Sequence, residues 1–426
     1  MKKYQDLTHR LAVTFMLIAV YSLGQSIPVP LFDMSFRVGG GQVTTEKLLS
    51  MITGGVFNSP TLFSLGMGPY MVVSILTSII FLAARDRMSQ MSQDQKGLLQ
   101  IWLTLVFAML QVIPLTFNIL NNAKPIVHGF SSLQLFLTTA LIFITGAMIA
   151  AWMAGINAQF GVGGPFVMII PGIVTGITGS LKLVNGSILM HLDRLLILLA
   201  VTIVFMYLTT ALYSAEYRMD VQRIGIDRRS KDGYFAFRIL IGGTMPLMFA
   251  TTFMYFPIYI MQALKYHNTT VMNLFDVTKI QGIWMYGIVI YLLGFAFSFV
   301  NVVPDQTAKD MKESGDYVIG VQPGIATERY ITRRVIFFAV FGSMFLAIVV
   351  IFPMLLGYWL HNRMYTNLSN YFAMLFVLIS IFDNLRQDID MLYYKDSYGL
   401  FNVKVKRRGR ASWFTTLPIC RQIPIV

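Results

Sequence analysis

Polar and charged positions cut this chain into long apolar blocks. A helix needs about 20 apolar residues to cross the roughly 30 Å hydrocarbon layer of a membrane. Nine stretches of about that length or more contain no Asp, Glu, Lys or Arg: 11–32, 48–84, 97–123, 125–181, 195–215, 239–264, 280–304, 335–362 and 364–382. Block 125–181 is too long for one helix. Its middle, Gly155 to Pro165 (GINAQFGVGGP), is polar and glycine-rich, so it predicts two helices and a tight loop. The pattern therefore predicts ten spans, and an even count puts both termini on one side. Block 48–84 is too long for one span and too short for two. Gly54-Gly55 and Asn58-Ser59-Pro60 break it early, because Pro lacks a backbone donor and Gly costs entropy. Two readings stay open for residues 48–57. They form either a half-helix, tolerated only inside protein or beside water, or an amphipathic outer loop. A full span follows from about 64 to 84.

Composition agrees with lipid as the solvent. The chain is 56% apolar and 12% charged, whereas soluble domains carry roughly a quarter charged residues. A net charge of +13 would suggest nucleic acid for a soluble protein; here it marks loops on one side of a membrane. Of 33 basic residues, 25 fall in the N-terminal segment and the alternate loops that share its side. That bias places both termini and loops 214–238 and 304–334 in the cytoplasm. The apolar stretch from Leu11 lacks a small-residue cleavage site and runs into Ile27-Pro28-Val29-Pro30, so it is expected to remain as the first span.

Candidate chemistry is sparse. Carriers and pumps bury an ionisable group to hold an ion or proton. Here Asp193 and Arg194 start the sixth span and Asp383 ends the last, positions typical of solvated anchors. His9, His128, His191, His267 and His361 lie near helix ends or in loops and form no ligand pair, and Cys420 is alone. No catalytic residue, metal site or cofactor is expected. The chain has no G-x-x-x-x-G-K-[ST] phosphate-binding loop.

Two segments share a pattern. Gly66-Met67-Gly68-Pro69-Tyr70-Met71 and Gly243-Thr244-Met245-Pro246-Leu247-Met248 both read G-x-x-P-x-M, in the second span of each set of five. Gly/Pro interruptions at matching helices point to inverted repeats with a site between them. Loops 214–238 and 304–334 are long and mix both signs of charge. They are either solvated loops with basic anchors or a docking surface, with Gly320-Val321-Gln322-Pro323-Gly324 as a defined turn.

Loop 304–334 resembles a signature of the SecY family of protein-export channels. It holds Pro304-Asp305, Ala308 to Lys312, Gly315, Gly320 to Gly324, Thr327 and Tyr330. Ser64 to Met71 resembles the start of SecY helix 2, Gly161 to Pro165 the lead into helix 5, and Gly243 to Ala250 the core of helix 7. With Ile27 to Pro30, the resemblance covers essentially the whole chain. Gln322 replaces an Arg of the family turn, and Gly164-Pro165 replaces Asn-Gly. These departures resemble the accessory SecY of Gram-positive cocci.

The resemblance implies an all-α polytopic fold of ten transmembrane helices in two inverted five-helix halves, 1–194 and 195–385, with a basic cytoplasmic tail at 386–426. It implies an hourglass channel in the plasma membrane. The pore ring falls on Met67, Met71, Phe166, Ile170, Met248 and Phe376. A plug covers about 48–57, with Leu48, Ile52, Gly54 and Gly55. A lateral gate lies between helices 2–3 and 7–8. Motor contacts fall on Arg228, Arg229, Gln322 and Gly324. Implied partners are a SecA-type ATPase, SecE/SecG-like small subunits or accessory Sec proteins, membrane lipid, and a secretory polypeptide such as a serine-rich glycosylated adhesin; nucleic acid is not among them. The residues taken alone also admit a housekeeping channel or a small-solute transporter, although a transporter would need an intramembrane charge. A membrane enzyme would need clustered His, Asp or Glu. In the tail, Lys404 to Arg410 (KVKRRGR) suits an anionic surface.

Overall fold

In lipid a backbone can satisfy its polar groups only within helices or closed barrels, and the apolar blocks fold as helices. The computed structural model describes residues 2–32, 61–83, 91–122, 131–188, 192–223, 234–263, 273–277, 279–360 and 363–394. The first half contains α1 (Lys2–Ser26), α2 (Gly68–Ala83), α3 (Gln93–Asn122), α4 (Ser132–Phe160) and α5 (Ile170–Ile188), the last preceded by a 3-10 turn at Pro165–Ile169. The second half contains α6 (Leu192–Ser214), β1 (Glu216–Arg223), β2 (Tyr234–Arg238), α7 (Met245–Ala263), α8 (Ile280–Asn301), α9 (Pro304–Ser314), β3 (Asp316–Val318), α10 (Ile325–Trp359) and α11 (Arg363–Tyr394). Among the described residues, 7 helices are long and apolar enough to cross a membrane. The apolar parts of α2, α5 and α7 are shorter: Gly68–Phe81, Pro165–Thr178 and Met245–Met254.

These three are the helices with Gly/Pro interruptions at their starts. The second span was expected from about 64, but α2 begins at Gly68 because residues 61–67 form turns. Ile27-Pro28, just after α1, holds that turn: Leu62 N–H donates to Ile27 O at 3.0 Å, and Pro28 bridges Thr61. At the other boundaries, charged ends extend the apolar cores. Helix α10 begins ten residues before 335, and α11 runs well past 382, since helix continues into water wherever side chains solvate it. Helices α3 and α4 each start with a Ser/Gln box. Gln95 N–H donates to Ser92 Oγ and Gln134 N–H to Ser131 Oγ, and each Gln side chain returns the bond to the Ser N–H.

The two halves repeat in detail. Gly66 (φ 57°) and Gly243 (φ 60°) are both left-handed, a conformation glycine adopts without a Cβ penalty. Gly66 N–H donates to Phe63 O at 2.9 Å, and Gly243 N–H to Leu240 O at 3.3 Å. Pro69 and Pro246 then occupy the second helical position of α2 and α7, where a missing donor costs nothing. Each turn leans on a glycine of a long apolar helix later in the chain, α4 in one case and α10 in the other. Gly146 of α4 lies against the Leu62 carbonyl, and Gly342 of α10 lies against the carbonyl of Ile239.

The two long loops are neither independent nor irregular. They join in a three-stranded antiparallel sheet of order β2-β1-β3. Glu216 pairs with Arg238 and Asp220 with Tyr234; Val221 pairs with Val318 and Arg223 with Asp316. Met219, Phe237, Ile241, Met311, Val318, Ile331 and Val335 give this module its own apolar core. The strands are short, and β1 carries charged residues on its outer face, so it reads as a loop until its partner strand, about a hundred residues later, is in place.

Candidate functional site

The largest apolar cluster draws residues from all three interrupted helices. Met67, Met71, Met248 and Phe376 are buried in it at 0%, 2%, 4% and 0% exposure, and half-buried Phe166 and Ile170 pack against it. All six expected ring residues thus share one cluster, drawn from α2, the α5 lead-in, α7 and α11. Their positions follow from the turns. Gly66 and Gly243 are left-handed, so the chain turns just before both helices; Met67 ends the turn before α2, Met71 lies in the first turn of α2 and Met248 in that of α7. Met71 N–H donates to Met67 O at 3.0 Å, and Met248 N–H to Thr244 O at 3.5 Å. The cluster also contains Met153, Met168, Ile169, Ile173, Met254 and Met374, which the sequence reading did not single out. Nothing in the sequence separates these from ordinary packing residues. Flexible thioethers fill irregular space and adapt to varied neighbours, and an apolar constriction disfavours water and offers an ion no ligand.

The α5 lead-in is fixed by polar side chains from three helices. Gly163 (φ 80°) and Gly164 (φ 68°) turn the chain before Pro165. Val162 N–H donates to Thr14 Oγ1 of α1 at 2.9 Å, and Gly163 N–H to Asp388 Oδ2 of α11 at 2.9 Å. Fully buried Asn157 of α4 donates Nδ2–H to Val162 O at 3.3 Å and to Gly164 O at 2.6 Å. Asn157→Leu will strand both buried carbonyls and lower stability by about 2–4 kcal/mol. Thermal unfolding of the detergent-purified protein checks this; an unchanged midpoint would mean that Asn157 does not hold the turn.

Asp383 was expected to be a solvated anchor. It instead lies 2.8 Å from Arg238 Nη2, with side-chain exposures of 16% and 25%. The sheet places Arg238 at the end of β2, bringing opposite charges together. Beside them, Tyr213 donates to Ser380 Oγ at 2.7 Å, and Ser380 lies 3.2 Å from Thr244 Oγ1. Sequence reasoning missed this group because its members are up to about 170 residues apart.

The possible gate helices touch: α2 meets α8, and α3 meets α7. In the sheet module, Gly320 (φ 83°) and Gly324 (φ 104°) form the turn. Gln322 is exposed, and its carbonyl accepts from Thr327 Oγ1 at 2.9 Å. The Arg334 guanidinium stacks 5.5 Å from the Tyr217 ring and 5.4 Å from the Tyr330 ring. Burial and the neighbouring Tyr330 push the Tyr217 phenol above its ordinary range. Leu48, Ile52, Gly54, Gly55, Arg228 and Arg229 lie outside the described residues.

Comparison with known proteins agrees with this arrangement. The chain is 27% identical over 401 residues to the accessory Sec system protein translocase subunit SecY2 of Leuconostoc gelidum subsp. gasicomitatum, covering 90% of this chain and 94% of that protein. It is 30% identical over 343 residues to the protein of the same name from Streptococcus oralis, covering 78% and 83%. Its fold is similar to that of a solved protein-conducting channel, with a TM-score of 0.65, 13% identity, and coverage of 92% of this chain and 95% of that one. Sec61 of the canine ribosome-channel complex from the endoplasmic reticulum gives a TM-score of 0.60 at 13% identity, covering 92% and 95%. A family model described as SecY matches residues 61–383, which include both left-handed turns, the α5 lead-in and the whole sheet module. With its apolar cluster residues, repeated turns and loop signature all inside that match, this multi-pass membrane chain belongs to the SecY family.

Proposed function

We propose that this chain is the protein-conducting channel subunit of an accessory Sec translocon. The carrying observation is the cluster of Met67, Met71, Phe166, Ile170, Met248 and Phe376, gathered from the starts of three interrupted helices and from the middle of α11. In this reading they form the apolar ring that seals the pore around a passing polypeptide. Their mix of Met and Phe suits a seal that must re-pack around many side chains. Residues 48–57 act as the plug, and α2–α3 part from α7–α8 to release apolar segments into lipid. The similarity to accessory SecY2 proteins supports the accessory assignment. The chain sits in the plasma membrane with both termini and the sheet module in the cytoplasm, which the distribution of basic residues supports. A SecA-type ATPase, preferably a dedicated accessory one, docks on the sheet module at Arg228, Arg229, Gln322 and Gly324. SecE/SecG-like subunits or accessory Sec proteins complete the complex, and serine-rich glycosylated adhesins are the cargo class.

The test is a cross-link. With Cys420 replaced by Ser, a single Met248→Cys protein should form an adduct with a stalled secretory chain, dependent on ATP and the motor. A Cys at Met71 should do the same. Adducts only in the sheet module, at Gln322→Cys, would keep the docking surface and remove the waist assignment.

A further inference from the structure

We infer that Arg238 and Asp383 are positioning residues that hold the waist shut until the sheet module is displaced, acting through Tyr213, Ser380 and Thr244. This rests on the channel reading above and names how that site is regulated.

The group connects the module to the ring by short steps. Arg238 is the last residue of β2, in register with Glu216 of β1, so it moves with the hairpin. Its guanidinium binds Asp383 of α11 at 2.8 Å and lies 5.7 Å from the Tyr213 ring. Tyr213 has two contacts beyond Arg238. Its ring lies 5.7 Å from that of Phe376, a waist residue, and its hydroxyl donates to Ser380. Ser380 stands one helical turn from Phe376 on α11, and its hydroxyl meets Thr244. Thr244 stands one turn from Met248, whose N–H it accepts at 3.5 Å. Two waist residues on two helices are therefore held one turn away by the same hydroxyl pair.

The surroundings make the arrangement sensitive to displacement. Tyr213, Thr244 and Ser380 are 3%, 7% and 3% exposed. Pulling Arg238 away would leave Asp383 as a mostly buried carboxylate without its counter-charge, which is strongly unfavourable. Gln387, the other neighbour of Asp383, supplies a neutral amide at 3.2 Å. Gly243, left-handed, turns the chain directly before Thr244. A partner that shifts the β1–β2 hairpin thus acts on the α7 opening turn and on α11 together. The α2 side is anchored differently, through Thr61 and Ser64 within its own turn, so a release of this group opens the waist from the α7–α11 side.

The test uses the full chain in liposomes without a motor and follows resting chloride flux. Asp383→Asn keeps the shape of the side chain and removes its charge. Ser380→Ala leaves the ion pair intact and removes the hydroxyl hub, so it serves if Asp383→Asn folds poorly by thermal unfolding. Both should raise resting flux by about fivefold or more, a population shift that a lost latch produces. The Arg238→Asp, Asp383→Arg double variant should return toward the native rate. Native flux in both single variants overturns the inference, as does a leak in Asp383→Asn that the charge exchange leaves untouched. A Met71→Asn, Met248→Asn control separates the two levels. If it leaks while the latch variants stay tight, the channel reading stands and the latch falls. If all stay tight, both fall.

Discussion

Chloride will cross liposomes containing the Met71→Asn, Met248→Asn protein at least about tenfold faster than liposomes containing the native chain. Both side chains are buried in the apolar cluster, at 2% and 4% exposure. An amide placed there without a partner costs about 1–3 kcal/mol, and that cost is relieved by drawing in water. In the channel reading proposed above, two wetted positions, one on α2 and one on α7, remove the dewetting that an apolar ring provides. A Met71→Leu, Met248→Leu protein conserves apolar volume and should remain tight. Equal flux from the Asn and Leu proteins would place the seal elsewhere in the cluster.

The second large effect concerns the repeat. Gly146→Ala should destabilise the protein by about 3 kcal/mol, whereas the matched Gly342→Ala should leave it within about 1 kcal/mol of native or slightly above. The turns they support are equivalent, but the spacing differs. A Cβ on Gly146 would overlap the Leu62 carbonyl oxygen, a backbone atom that α1 and α2 hold in place. A Cβ on Gly342 would sit 3.5 Å from the Ile239 oxygen, an ordinary contact, and alanine favours helix over glycine. Thermal unfolding of the two purified variants decides it. Equal losses would mean that both turns relax to the same degree and that Gly146 is not a close-approach site.

The sequence made the body of this fold legible because lipid imposes a simple rule. A chain must pair its own backbone groups wherever it meets hydrocarbon, so charge-free blocks become helices. The G-x-x-P-x-M segments were readable for a related reason, since Gly and Pro each permit one unusual backbone geometry. The structure gives Gly66 and Gly243 the same left-handed turn. The sheet was not legible. Residues 216–223 (EYRMDVQR) carry four charged side chains, and their alternation becomes a signal only when Phe237 and Val318 cover the inner face. Asp383 was misread as a solvated anchor for the same reason: its counter-charge, Arg238, arrives through the sheet and not through its own helix.

By itself, the sequence determined a membrane chain of many apolar helices with two matched interruptions, and a loop signature that points to one family. Solvent and local backbone geometry decide those features, and both act on consecutive residues. Only the tertiary structure decided that six residues from four distant places in the chain share one apolar cluster, that two distant loops form one module, and that an ion pair joins that module to α11. Those depend on pairs separated by up to about three hundred residues, and no local preference specifies such a pair. They exist because packing the helices brings each of these groups to a partner of matching shape or charge.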